Sequence, residues 1–171
     1  MYKNARDRLQ PALLDRLRDD RPEQKMEVQQ QWVLSFEQLK KAVLRDLAWL
    51  LNTISLSAHE DLHAFPHIRN STLNFGISAL AGKRLSEIEW TEVELAVHEA
   101  IVQFEPRILP ETLMVQCLSN ALDLQQHNVI ALLIKGQLWA NPYPRELLVR
   151  TEIDLESGQI ALEEINEEEF Q

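Results

Sequence analysis

Two histidines and a glutamate in the first half of the chain have the residue types and the spacing of a catalytic zinc-binding motif. His59, Glu60 and His63 form the pattern H-E-x-x-H. On a helix, this spacing puts both imidazoles on one face, where they bind zinc beside a glutamate general base. The context is unfavourable, because Asp61 adds a charge where such helices are usually apolar and Pro66 interrupts a helix just after the motif. A solvated loop is therefore the better interpretation, and a zinc-dependent hydrolase is the weaker alternative. Candidates for a third ligand, among which the spacing does not choose, are His67, His98 and Glu99.

No other group of residues in the sequence predicts a catalytic site. The one cysteine, Cys117, lies in an alternating strand pattern, so we expect it to pack there rather than act as a nucleophile. The 27 acidic residues offer many carboxylate pairs for glycoside hydrolysis, but no local pattern selects one. The four glycines are well separated, whereas a phosphate-binding loop needs clustered glycines. We expect a protein that is not an enzyme and that has no cofactor, no metal and no catalytic residue.

The charge of the chain is unevenly distributed. The 17 basic and 27 acidic residues give a net charge of -10, and residues 151–171 contain eight carboxylates and no lysine or arginine. A net-negative protein without a basic patch binds polyphosphates poorly, so we expect no nucleic-acid partner. The longest aliphatic run, Val129–Ile134, is too short to span a bilayer. With one cysteine and no secretory signal, we expect a cytoplasmic protein without direct membrane insertion.

Glu105, Pro106 and Arg107 form the segment that stands out as a binding motif. Proline fixes its own φ and disfavours helix at the preceding residue, so we expect a stiff, extended backbone here. In an extended run, Glu105 and Arg107 project to the same side, which places a carboxylate beside a guanidinium. The guanidinium offers a planar fork of donors for a partner's carboxylate or carbonyl groups. The alternative is a helix stop with an ordinary surface ion pair, which contributes about 0–1 kcal/mol.

The elements that must position this motif begin with three predicted helices. Pro11–Leu17 is a short amphipathic helix ahead of a polar linker, Asp19–Gln31. It is either a tethered docking peptide or, as we favour, a helix folded back on the domain. A second helix follows the capping-box spacing of Ser35 and Gln38. Its apolar stripe, which is expected to face the core, contains Phe36, Leu39, Val43, Leu44, Leu47, Leu50, Leu51 and Ile54.

The third predicted helix leads directly into the motif. It runs from about Ser86 to Phe104 and is ended by Pro106. Its start is open, because two candidate capping boxes are present. They are Ser86 with Glu89, and Thr91 with Glu94.

After Pro110 the apolar period changes to two, which predicts strands. Their short connections, including Asp123–Asn128, favour an antiparallel meander. The sequence therefore predicts an α+β fold in which two core-facing helices pack on an antiparallel meander sheet of three to four strands, with a short N-terminal helix and linker. We divide the chain into residues 1–31 (helix and linker), 32–164 (main domain) and 165–171 (acidic tail). The predicted strands are Thr112–Leu122, Val129–Trp139, Glu146–Leu155 and Gln159–Glu164.

Four segments occur along the chain in an order that identifies a family more specifically than any single segment does. They are Leu13–Leu17, Val43–Thr53, Arg69–Gly76 and Phe104–Arg107. Together they resemble the TssE family of type VI secretion baseplate subunits and, more distantly, the lysozyme-like wedge protein of contractile phage baseplates. The resemblance spans roughly residues 11–158, and the run Arg-Asp-Leu-x-Trp-Leu-Leu-Asn-Thr at 45–53 is its most telling piece.

The resemblance implies a non-enzymatic structural subunit. Such a subunit joins the wedge proteins TssF and TssG and provides the platform on which the contractile sheath of TssB and TssC assembles. TssK and the inner tube are further candidate partners, and the same part in a phage tail or another contractile injection machine is the close alternative. The family's Glu-Pro-Arg motif falls on Glu105, Pro106 and Arg107, which implies that they hold the subunit to the wedge. On this basis, Arg107→Ala or Glu105→Ala should leave the domain folded and abolish wedge association.

The resemblance also implies that strands are exchanged with the first sheath ring. A meander that ends in a short hairpin leaves an open edge, which can pair with an incoming strand. The equally weighted alternative is that the N-terminal segment or a loop covers this edge. The glutamate-rich end, residues 163–169, matches no family motif, and we expect this acidic end to limit pairing between copies and to steer basic strands toward the edge. The candidate sheath-binding residues are Gln159, Ile160, Ala161, Leu162 and Glu163.

Overall fold

The fold consists of a helical first half followed by a sheet. A computed structural model describes residues 12–17, 23, 35–79, 89–118, 129–140 and 143–165. Within these ranges the elements are α1 (Leu13–Leu17), α2 (Phe36–Leu51), α3 (Pro66–Arg69), α4 (Trp90–Phe104), β1 (Met114–Cys117), β2 (Val129–Leu138), β3 (Arg145–Asp154) and β4 (Ile160–Glu164). The strands form one antiparallel sheet in the order β1-β2-β3-β4. The predicted α+β fold is confirmed.

The core lies between α2, α4 and one face of the sheet. Apolar residues recur every three or four positions along the helices and at alternate positions along the strands, so each element buries one face. The helices contribute Leu39, Val43, Leu47, Leu50, Leu51, Val93, Val97, Ala100 and Ile101. The sheet contributes Ile130, Leu132, Ile134, Leu138, Leu147, Val149, Ile153 and Ile160. Half-buried Cys117 packs against this cluster from β1.

The two ends of α2 are set by side chains. The predicted capping box is present: the Gln38 amide donates to Ser35 Oγ, and the Ser35 amide donates to Gln38 Oε1 at 3.0 Å. The helix ends at Leu51, earlier than expected, because the Asn52 side chain caps it by donating to the Ala48 carbonyl. Ile54 consequently lies beyond the helix and is 54% exposed.

The helix α4 begins at Trp90, so the second candidate capping box is wrong. Thr91 lies inside the helix rather than at its N-cap. Glu94 instead accepts a hydrogen bond from the Cys117 amide at 2.7 Å, and this bond ties α4 to the outer side of β1. The predicted first strand also starts late, since Pro110–Thr112 forms a single 3-10 turn.

The Arg69–Gly76 segment packs back on the end of α2. Buried Asn74 accepts from the Ser57 amide at 2.8 Å and donates to the Arg69 carbonyl at 3.0 Å. The Ile77 amide then donates to the Thr53 carbonyl at 2.9 Å. Gly76 lies between these contacts with φ +122°. The segment therefore has a structural role, which is to tie two loops together.

Other predicted segments lie outside the described residues. These are most of the linker Asp19–Gln31, Ser86, the connection Asp123–Asn128 and residues 166–171. The division of the chain into three regions stays a prediction. In the part of the chain that the structure describes, no helix has the length and apolar character needed to cross a membrane.

Candidate functional site

The H-E-x-x-H segment is not helical, so the histidine spacing of a zinc protease is not realised. His59 ends the 3-10 turn Leu56–Ala58, and Glu60 and His63 are exposed in the following loop. The Asp61 carboxylate accepts a hydrogen bond from the His63 amide at 2.9 Å, which fixes a turn at this point. Among the residues that the structure describes, no three histidine, cysteine or acidic side chains are grouped so that they could hold a metal ion.

The Glu-Pro-Arg segment forms a tight turn directly after α4. The Glu105 amide still donates to the Ile101 carbonyl at 2.8 Å, while the Glu105 carbonyl accepts from the Ile108 amide at 3.2 Å. The expectation of an extended backbone is therefore wrong. The physical reason is that the chain must reverse here to join the sheet.

Main-chain hydrogen bonds fix this turn to the end of β2. The Arg107 carbonyl accepts from the Trp139 amide at 2.8 Å, and the Leu109 amide donates to the Gln137 carbonyl at 2.9 Å. The motif consequently pairs with the end of β2 and lies on the same side of that strand as β1. This fixes the Cα positions of the motif, while the direction of each side chain is set by its own contacts.

Glu105 and Arg107 bind each other through a charge-assisted network. Arg107 Nε donates to Glu105 Oε1 at 2.6 Å, and Arg107 Nη2 donates to Glu105 Oε2. The Arg107 amide also donates to Glu105 Oε1 at 3.2 Å. The Glu105 residue is only 3% exposed, so both of its carboxylate oxygens are occupied inside the protein. Glu105 therefore orients Arg107 and is not available to a partner.

Three further charged residues extend this pair into a chain of ion pairs. Arg107 Nη2 donates to Asp46 Oδ2 at 2.6 Å, and Asp46 Oδ1 accepts from Arg45 Nη2 at 2.8 Å. Arg45 in turn binds the carboxylate of Asp15 in α1 through both of its terminal nitrogens. We call these five residues the charge chain; it is made of Asp15, Arg45, Asp46, Glu105 and Arg107.

The pKa shifts in the charge chain follow from these contacts. The hydrogen bond from Arg45 holds the pKa of Asp15 below its ordinary value, against the opposing effect of burial. Burial lowers the pKa of Arg107, but its hydrogen bond to Glu105 and the charges of Glu105 and Asp46 outweigh burial and raise it. Both groups are thus held in their charged forms.

The accessible part of the motif is small. Pro106 is exposed, and the Arg107 side chain is 14% exposed. No described residue hydrogen-bonds to Arg107 Nη1, which has two N–H donors. Of the guanidinium donors, the Nη1 N–H groups are therefore the ones available to bind a carbonyl or carboxylate.

Reasoning from the sequence missed Arg45, Asp46 and Asp15 as parts of this site. Arg45 and Asp46 lie on the polar side of α2, where charged side chains are usually only solvated. Both residues lie in the run at 45–53, which also carries the resemblance to the family.

The candidate strand residues lie at the opposite edge of the sheet. β4 pairs with β3 alone, and its first residue is closed on the outer side: the Ile160 amide donates to Asn52 Oδ1 and its carbonyl accepts from Asn52 Nδ2, both at 2.9 Å. Antiparallel pairing alternates, so the backbone groups of Leu162 and Glu164 also point outward. No described residue hydrogen-bonds to those groups. Among the described residues, this edge is therefore covered at Ile160, and whether the N-terminal segment or a loop covers the rest stays a prediction.

A lysine from α2 lies beside this edge. Lys40 Nζ donates to Glu164 Oε1 at 2.6 Å, and this hydrogen bond raises the pKa of Lys40. The acidic residues 167–169 lie outside the described residues.

The chain matches the protein family described as baseplate wedge protein gp25 over residues 37–143, more than half of its length. This range contains α2, the Glu-Pro-Arg turn and β2, the elements that hold Arg107. TssE belongs to the same family, so the resemblance seen in the sequence is confirmed. No curated protein and no solved structure shows significant similarity to the chain. The family is one of baseplate wedge components of contractile injection systems, and the chain belongs to it.

Proposed function

We propose that the protein is a non-enzymatic, cytoplasmic subunit of a type VI secretion baseplate. In this role it joins the wedge proteins TssF and TssG and provides the platform on which the sheath proteins TssB and TssC assemble. TssK and the inner tube are further candidate contacts. The observation that carries the proposal is the family match across residues 37–143, which includes the Glu-Pro-Arg turn. The second candidate function is the equivalent subunit of a phage tail or of another contractile machine. The genes that neighbour this one would distinguish the two functions.

The wedge contact is assigned to Glu105, Pro106 and Arg107 in different roles. Pro106 and the free donors of Arg107 face the partner, while Glu105 fixes the direction of the guanidinium. Because Arg107 is already oriented, little side-chain entropy is lost when it binds. The contact therefore gains geometric selectivity for a carbonyl or carboxylate of the wedge.

Co-purification tests the proposed function. The full-length chain with an affinity tag is produced together with TssF and TssG from the same genome and passed over a sizing column at physiological salt. We expect one complex containing all three proteins. Elution of the chain apart from an intact complex of TssF and TssG would contradict the proposal.

Sheath binding is assigned to the outer side of β4. We infer a narrower set of sheath-binding residues, because the outward backbone groups of Ile160 bind Asn52, whereas those of Leu162 and Glu164 point outward without a described partner. Gln159, Ala161 and Glu163 alternate with them and face β3 with their backbone groups. An added strand would therefore hydrogen-bond at Leu162 and Glu164, next to the Lys40 side chain.

Leu162→Pro is expected to block sheath assembly without unfolding the domain. Proline removes the outward N–H of an edge strand and leaves the inward ladder of β3 and β4 intact. Leu162→Ala is the matched control, since it loses the same side chain and keeps the N–H. Fluorescent sheath subunits in cells should form sheaths with Leu162→Ala and none with Leu162→Pro. Equal sheath numbers in the two strains would show that β4 does not pair with the sheath.

A further inference from the structure

Arg45 is held in place by its own helix, whether or not α1 is present. Its Nε and Nη2 atoms donate to Asp46 Oδ1 at 2.9 and 2.8 Å. Its guanidinium lies over the Trp49 ring, 4.9 Å from the centroid, in a cation-π contact. Both supporting residues belong to α2. The outer side of the guanidinium is thus a preformed fork for a carboxylate.

The carboxylate that fills this fork comes from α1, in which both leucine side chains that the structure describes are exposed. Asp15 binds both terminal nitrogens of Arg45, but the two side chains are 24% and 34% exposed, so solvent screens the pair. Leu13 and Leu17 are 71% and 73% exposed, and they therefore contribute little burial. The described part of α1, five residues, is too short to be stable without tertiary contacts.

The charge balance of the charge chain shows what could replace Asp15. Asp46 and Glu105 balance the charges of Arg45 and Arg107, and Asp15 adds a third carboxylate. Without Asp15, the four remaining groups are neutral overall, and Arg45 has unused donors. A carboxylate from another protein would restore the same arrangement.

We propose that Arg45 is a carboxylate-binding site of the wedge interface, filled by Asp15 in the free subunit and by an acidic side chain of the partner after assembly. The inference rests on the proposed function and extends it. Through Asp46, Arg45 is continuous with Arg107, whose free donors form the assigned wedge contact. The partner is thus a protein segment that carries an aspartate or glutamate. When the partner binds Arg45, Asp15 is displaced and α1, with Leu13 and Leu17, is released from α2.

Two substitutions test this site, with TssF and TssG as the probe. Asp15→Asn removes the competing charge and should tighten association about two- to fivefold, the range of an exposed ion pair. Arg45→Gln removes the fork and should weaken association. The control is Glu37→Gln, which neutralises one carboxylate at the exposed start of α2 and should leave affinity unchanged. Hydrogen exchange of residues 13–17 in free Asp15→Asn should be faster than in the unsubstituted protein.

The outcomes separate this inference from the proposed function. Tighter association of Asp15→Asn together with weaker association of Arg45→Gln supports the site. If Asp15→Asn associates with TssF and TssG no more tightly than Glu37→Gln does, the Arg45 site is contradicted. The proposed complex is not affected by that result. Failure of the unsubstituted chain to bind TssF and TssG overturns the proposed function, and the Arg45 site with it.

Discussion

Gly76→Ala is expected to lose about 3 kcal/mol of unfolding free energy. Two effects add. A φ of +122° lies beyond the range that a residue with a side chain adopts at small cost. A Cβ at this position would also lie 2.3 Å from the Thr53 carbonyl oxygen, which is backbone and cannot rotate away. The Thr53 carbonyl would have to move, and its hydrogen bond from the Ile77 amide would weaken.

Chemical unfolding of the purified chain measures this loss. Gly158→Ala is the matched control, because Gly158 also has a positive φ, +73°, but lies in the turn between β3 and β4. That value is within the left-handed region, so alanine there should cost about 1 kcal/mol. Equal losses for the two variants would show that the contact of Gly76 with Thr53 does not constrain the fold.

Arg107→Ala is expected to destabilise the domain by about 3–5 kcal/mol. The substitution leaves the carboxylate of Glu105, which is 3% exposed, without its guanidinium. A buried charge that has lost its partner is far more costly than a broken surface pair. The sequence predicts that this variant stays folded, so its stability has to be measured beside its binding, since loss of binding alone would not distinguish a lost contact from a weakened fold.

Urea unfolding of two companion variants checks the cause of this loss. Arg150→Ala breaks an ion pair with Glu152 whose side chains are 47% and 54% exposed, and it should cost at most about 1 kcal/mol. Adding Glu105→Gln to Arg107→Ala removes the unpaired charge and should recover part of the stability. An Arg107→Ala variant as stable as Arg150→Ala would mean that the buried pair is not formed.

Local patterns in the sequence predicted a helix end well where neighbouring side chains cap it. Ser35 and Gln38 set the start of α2 through contacts three residues apart, and such contacts are visible in a sequence. The alternation after Pro110 located the strands of the meander. The apolar stripe was extended to Ile54, beyond the end of α2, because apolar spacing alone does not show that Asn52 caps the helix; the second contact of Asn52, with Ile160, is 108 residues away.

The motif itself was located from the sequence, but its surroundings were not. Proline after Glu105 predicted a stiff, extended backbone; the backbone is a turn instead, although the carboxylate and guanidinium do lie side by side. The burial of Arg107 could not be predicted, because it depends on Asp46. Asp46 is 61 residues away, on a helix face whose sequence indicates exposure to solvent. The histidine motif was interpreted correctly as a loop, because Asp61 and Pro66 disfavour a continuous helix there and these effects are local in the sequence.

The central claim is that Arg107 joins this subunit to the wedge, and Arg107→Lys tests it most directly. Lysine keeps the positive charge beside Glu105, so the domain should remain folded, but it lacks the planar fork and the free Nη1 donors. The measurement is the affinity of the full-length variant for TssF and TssG, compared with the matched surface variant Arg150→Lys. We predict that Arg107→Lys binds about tenfold more weakly or worse, while Arg150→Lys binds as the unsubstituted chain does. Equal affinities for the two variants would contradict the claim.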